Sequence, residues 1–181
     1  MKVSTDSNSH KPIKIRIKID LEVARFILIF ITSLSIFYFA SIQFESLIPF
    51  FNMDSTAQTL FFLLKSIGIN ASIDAGQITF SNFSIEIVRQ CTGIFEVMAI
   101  TSCILAFPST AKKKLIGLSL AIPTIYFFNM ARLIFLSILG IYYPFAFDAI
   151  HDYLLQLTFV FLVVFFWIFW INKVVKSGGK G

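Results

Sequence analysis

Cysteine is scarce in this chain. Cys91 and Cys103 are too few for a disulfide scaffold, and no Cys/His cluster has the spacing of a zinc site. No metal and no cofactor are therefore expected. Charge is scarce too: charged residues make up 14% of the 181, and the stretch 141–152 has no Lys or Arg at all. The net charge of +5 sits in three short basic clusters beside apolar runs, unlike the broad basic surface that nucleic acid requires. No internal repeat is visible, which argues against a transporter built from repeats. No small-x-small cleavage site follows the first apolar run, so that run is expected to persist as a helix.

What the chain has in excess is apolar surface. Hydrophobic residues make up 57%, 23 residues are Phe, and the mean hydropathy is +0.83, more than one soluble core could hide. Lipid is the expected solvent. The pattern predicts an all-α polytopic membrane protein of about four transmembrane helices, at about 23–41, 91–107, 115–139 and 153–171. These spans form one transmembrane domain, 23–171, between a basic segment, 1–22, and a basic tail, 172–181. Within the first segment Lys11 to Asp20 alternates basic residues with Ile13, Ile15, Ile17 and Ile19, a period suited to an extended strand lying on anionic lipid. Between spans one and two, Pro49, Asn52, Asp54 and Ser55 interrupt the apolar pattern, and Asp54 or Ser55 is expected to cap a short helix running to Gly68. The alternations Ile78/Phe80 and Phe83/Ile85/Ile87, broken by Asp74-Ala75-Gly76 and Ser81-Asn82, then read as short strands. Free strand edges cannot lie bare in hydrocarbon, which puts this segment at the interface.

Basic residues set the orientation. Six Lys/Arg lie before span one or at its edge, counting Arg25, three lie in the 108–114 loop and three follow span four, so twelve of fifteen share one side. That side is the expected cytoplasm, with both termini in it and the protein in the plasma membrane. Cys91, Arg132 and His151 then all fall toward the outer leaflet.

Those three residues are the candidates for chemistry. Cys91, in Arg89-Gln90-Cys91-Thr92-Gly93, stands where the outer segment becomes span two, and a thiol at a helix start beside a cation is expected to have a lowered pKa and to act as a nucleophile. The competing reading makes it a small packing residue, the role assigned to Cys103. Arg132 lies about 12 Å below Gly140 at about 1.5 Å per residue and needs a partner or a task. Asn129 shares its helix face, so the two could offer several donors to one point. Otherwise Arg132 forms an ion pair with Glu96, which lies at similar depth. His151, in the loop ahead of span four, is either a solvated residue or a proton carrier. A nucleophile, a fixed cation and an imidazole are the components of acyl transfer.

The ordered set resembles the archaeosortase/exosortase family of membrane-embedded cysteine transpeptidases. The matching residues are Cys91-Thr92-Gly93, then Asn129-Met130-Ala131-Arg132-Leu133, then His151 in Ala149-Ile150-His151-Asp152, over roughly residues 54–171. The resemblance implies a thiol transpeptidase or endopeptidase. Cys91 would attack a peptide bond on the outer side, Arg132 would stabilise the oxyanion or the thiolate, and His151 would act as general acid and base, with Asn129, Thr92 and Gly93 in support. Its implied partners are secreted proteins ending in a short motif, a transmembrane helix and a basic tail, with a lipid or glycan as acceptor. With about four spans, the chain is shorter than family members that have eight or so. The rival from another class is a non-enzymatic membrane subunit or small transporter, in which Arg132 and Glu96 are a structural pair.

Overall fold

The computed structural model describes residues 12–43, 51–74 and 76–176. Residues 1–11, Pro49, Ala75 and the end of the basic tail, 177–181, lie outside the described residues. The fold is mostly helical, in the order α1 (Pro12–Gln43), α2 (Met53–Ser66), β1 (Ser72–Asp74), β2 (Gln77–Thr79), β3 (Ser84–Glu86), α3 (Ile94–Ala106), α4 (Ala111–Tyr142) and α5 (Phe147–Trp170). Short 3₁₀ turns stand at Arg89–Cys91 and Pro144–Ala146, and a π turn, Ile171–Val175, ends the described chain.

Three helical stretches are long and apolar enough to cross a membrane: Leu21–Gln43, Ala111–Tyr142 and Leu157–Val175. The helix expected from Cys91 starts instead at Ile94 and has 13 residues, about 20 Å at about 1.5 Å per residue, against a hydrocarbon core of about 30 Å. Exposed leucine, isoleucine and phenylalanine line the outer faces of α1, α4 and α5, as a lipid solvent requires. The chain is a multi-pass membrane protein.

Several boundaries differ from the sequence expectation, each for a local reason. Of the segment expected to be extended, residues Pro12 to Asp20 are helical and continuous with span one, because proline is well placed in a first helical turn and the apolar helix behind it propagates the geometry. Helix α2 is capped neither by Asp54 nor by Ser55. Asn52 holds an extended backbone, and its side-chain oxygen accepts from the Ser55 amide at 2.7 Å. The loop expected over 141–152 is largely absent, since α4 runs to Tyr142 and α5 begins at Phe147.

The three strands form an antiparallel sheet in sequence order, with Ile73, Ile78 and Ile85 in register. Their period-two pattern turns Ile78 and Ile85 inward, where they meet Ala57, Leu60 and Leu64 of α2. This cluster also takes in Cys91, Met130 and Leu133, so the sheet and α2 roof the end of the bundle that carries the thiol. Gly140 permits the close approach, because a Cβ there would lie 2.3 Å from the Phe83 ring. A second cluster, with Ile100, Ile104, Ile125 and Trp170, fills the opposite half.

Basic residues from three elements meet at that opposite end, while Lys65, Arg89 and Arg132 lie on the thiol side. Arg25, Glu22 and Lys114 line one cavity, Lys113 donates to the Val175 carbonyl at 2.8 Å, and Trp170 donates to the Lys113 carbonyl at 3.0 Å. The bundle therefore has a basic end and a thiol end.

Candidate active site

The Cys91 backbone is fixed from three directions. Its amide donates to Val88 at 2.8 Å, closing the 3₁₀ turn, and the Thr92 hydroxyl donates back to Arg89 at 2.9 Å. Asn129, reaching from α4, donates its Nδ2 to the Cys91 carbonyl at 2.8 Å. Gly93 then redirects the chain into α3 with φ +84°, a left-handed conformation that suits glycine, and a Cβ there would press on the Asn129 side chain at 3.3 Å. Thr92 and Gly93 thus shape the turn. Asn129 spends a donor on the backbone of Cys91 and does not aim both amide hydrogens at a shared point with Arg132.

The thiol itself is 1% exposed and lies ahead of the helix, outside the membrane-crossing stretches. Its pKa is raised, the reverse of the sequence expectation. Burial is the largest cause and pushes it up, Arg132 and the Val88 hydrogen bond pull it down, and Glu96 pushes it up again. The sequence reading weighed the cation but could not see that the sheet roof would remove water from the sulfur.

His151 lies within the first turns of α5 rather than in a loop, and its Nε2 stands 3.8 Å from Cys91 Sγ. Phe147, one turn earlier, stacks on the imidazole at 5.5 Å between ring centres. Phe147 was missed from sequence because its signal, the i, i+4 spacing to His151, exists only once the segment is known to be helical.

Arg132 and Glu96 are both nearly fully buried, with Arg132 Nη1 3.7 Å from Glu96 Oε1. The two attract by charge but stand beyond hydrogen-bond reach. None of the three guanidinium nitrogens makes a hydrogen bond, nor does Glu96 Oε2. Cys103, half-buried in α3, takes no part in this cluster. Among the described residues no group of His, Cys, Asp and Glu could hold a metal ion.

The family model described as transmembrane exosortase matches residues 22–170, nearly the whole membrane part. The chain belongs to the transmembrane exosortase family. Neither a curated protein nor a solved structure matches it. Membership implies a membrane-embedded sorting transpeptidase that acts on secreted proteins with C-terminal sorting signals. The match spans all three candidate residues, Cys91, Arg132 and His151, and so takes in both the roofed end and the bundle beneath it.

Proposed function

We propose that this exosortase is a thiol transpeptidase, with endopeptidase activity, using Cys91 as nucleophile, His151 as general acid and base, and Arg132 as oxyanion or thiolate stabiliser. The observation that carries the reading is the 3.8 Å approach of His151 Nε2 to Cys91 Sγ, made by residues 60 positions apart on different elements. Because burial disfavours a resting thiolate, His151 takes the thiol proton as sulfur attacks the scissile carbonyl. The developing oxyanion draws on Arg132, whose nitrogens have no other hydrogen bond to break. Collapse breaks the C–N bond, His151 returns the proton to the leaving amine, and a thioester remains on Cys91. An acceptor hydroxyl or amine, from a lipid or glycan, then attacks the thioester, passes its proton to His151 and releases the thiolate. Asn129, Thr92 and Gly93 hold the Cys91 turn in place.

The substrates are exported proteins ending in a short motif, a transmembrane helix and a basic tail. In this reading α3 is a fourth crossing, residues 23–171 form the membrane domain, and the segments 1–22 and 172–181 are cytoplasmic. Supporting that orientation, Arg25, Lys113 and Lys114 meet at the end of the bundle away from Cys91, and basic residues favour the cytoplasmic side, which leaves the thiol facing outward.

A protein bearing such a C-terminal signal, co-expressed with this chain, tests the reading. Its cleavage is expected to vanish with Cys91→Ser and to continue with Cys103→Ser, both variants accumulating in the membrane. Equal loss in both would make Cys91 a packing residue. One observation favours a second reading: the Arg132–Glu96 pair at 3.7 Å suits a non-enzymatic subunit in which these charges only neutralise each other.

A further inference from the structure

A histidine ring turns easily about its second side-chain torsion, whose wells are broad. The approach of His151 Nε2 to Cys91 Sγ at 3.8 Å therefore needs a contact that fixes the plane of the imidazole. Phe147 supplies one. The two residues stand four positions apart in the first turns of α5, and helical side chains lean toward the N-terminus, so the imidazole lies over the turn that carries Phe147. Their rings are 21° from parallel with centres 5.5 Å apart, an offset stack on one face of the imidazole.

Phe147 is itself held. The Phe83 ring meets it at 4.7 Å between centres, with the planes 61° apart. Phe83 closes the β2–β3 hairpin, where the Phe80 amide donates to the Phe83 carbonyl at 2.7 Å and the Phe80 ring stacks on Phe83 at 6.1 Å. Asn82, in the turn of that hairpin, donates its Nδ2 to the Ile141 carbonyl of α4 at 3.1 Å, and Phe83 lies against Gly140 one residue earlier. Contacts thus run from Gly140 through Phe83 and Phe147 to His151, and they carry the position of the hairpin to the imidazole. The ring of Phe147 has a second effect. An aromatic face attracts a cation within about 6 Å of its centre, so it favours the imidazolium that forms when His151 takes the thiol proton.

We propose that Phe147 is a positioning residue for the reaction, setting the plane of the His151 imidazole toward Cys91 and favouring the imidazolium as the proton arrives. This role rests on the proposed use of His151 as proton acceptor for Cys91, and the test separates the two. In the full chain carrying Cys103→Ser, alkylation of Cys91 by iodoacetamide, at one pH below the ordinary thiol range, reads the Cys91–His151 pair without a peptide substrate. His151→Ala is expected to slow it. An unchanged rate there would remove His151 from the chemistry and Phe147 with it. Phe147→Leu is expected to slow alkylation by about tenfold, the rate equivalent of one aromatic contact, and Phe147→Tyr to react close to the parent rate. Phe147→pentafluorophenylalanine, which keeps the ring and opens no gap but reverses the charge of its face, is expected to slow it several-fold. In a His151→Ala background, Phe147→Leu should have no further effect, whereas a change that only loosened the roof would alter alkylation with or without the imidazole. Equal rates in Phe147→Leu and Phe147→Tyr, a parent rate in the pentafluorophenylalanine variant, or the same Phe147→Leu effect with and without His151 would each overturn the role of Phe147 while leaving Cys91 and His151 in theirs.

Discussion

Cys91 and Cys103 carry the same thiol, so what separates them is their surroundings. Burial raises the pKa of Cys91 while Arg132 lowers it and Glu96 raises it, which gives signed expectations. Alkylation of Cys91 by iodoacetamide, followed against pH, should rise only above the ordinary thiol range. Arg132→Gln should move that curve to higher pH and Glu96→Gln should move it lower; shifts of the opposite sign would contradict the arrangement. The buried pair gives a second test. Breaking it on one side leaves a charge without its partner, at a cost of about 3 to 5 kcal/mol, so either single Gln variant should accumulate less than the parent. The double variant should recover its abundance, because no unpaired charge remains, but not its cleavage of substrate. Recovered cleavage would remove Arg132 from the machinery. The candidate residues themselves were legible in the sequence, because a charge and a thiol are conspicuous among apolar neighbours. Their states were not: the position of Asn129 on the Cys91 carbonyl and the desolvation of the sulfur both arise from contacts between elements.

At the scale of elements, the roof over the thiol depends on two small devices. Asn52 starts α2, and Asn52→Ala should cost about 1 kcal/mol of stability by removing the cap on the Ser55 amide. Gly140 lets the Phe83 edge of the sheet segment reach α4, and a Cβ at 2.3 Å from that ring must displace it. Gly140→Ala is therefore expected to lower stability by about 1 to 3 kcal/mol, measurable as a lower thermal midpoint in detergent. An unchanged midpoint would mean that the roof does not bear on α4 there. The strands were readable because Ile78, Phe80, Phe83, Ile85 and Ile87 alternate, and alternation is the strand signal itself. Helix starts were harder to read. The Ile13 to Ile19 alternation mimics a strand yet continues the α1 helix, and the polar stretch around His151 concealed the first turns of α5.

On the scale of the whole molecule, counting Lys and Arg proposes an orientation, because topology follows those residues directly. The two-core division, with a roofed apolar cluster around Leu60, Ile78 and Leu133 above and Trp170 packed on Gly117 below, was not legible in the sequence, since it depends on which helices become neighbours. In the proposed orientation, with both termini cytoplasmic, a cysteine placed at exposed Asn82 in a Cys103→Ser background should react with a membrane-impermeant maleimide in intact cells. Reaction only after the membrane is opened would reverse the orientation. The central claim, a covalent thiol mechanism, is tested most directly by mass analysis of this protein after incubation with a membrane-anchored substrate carrying a C-terminal sorting signal, quenched in acid to preserve thioesters. The account gives a substrate acyl group on Cys91, absent from Cys91→Ser and from Arg132→Gln. Substrate cleavage with Cys91 unmodified at every time point, and undiminished in Cys91→Ser, would contradict it.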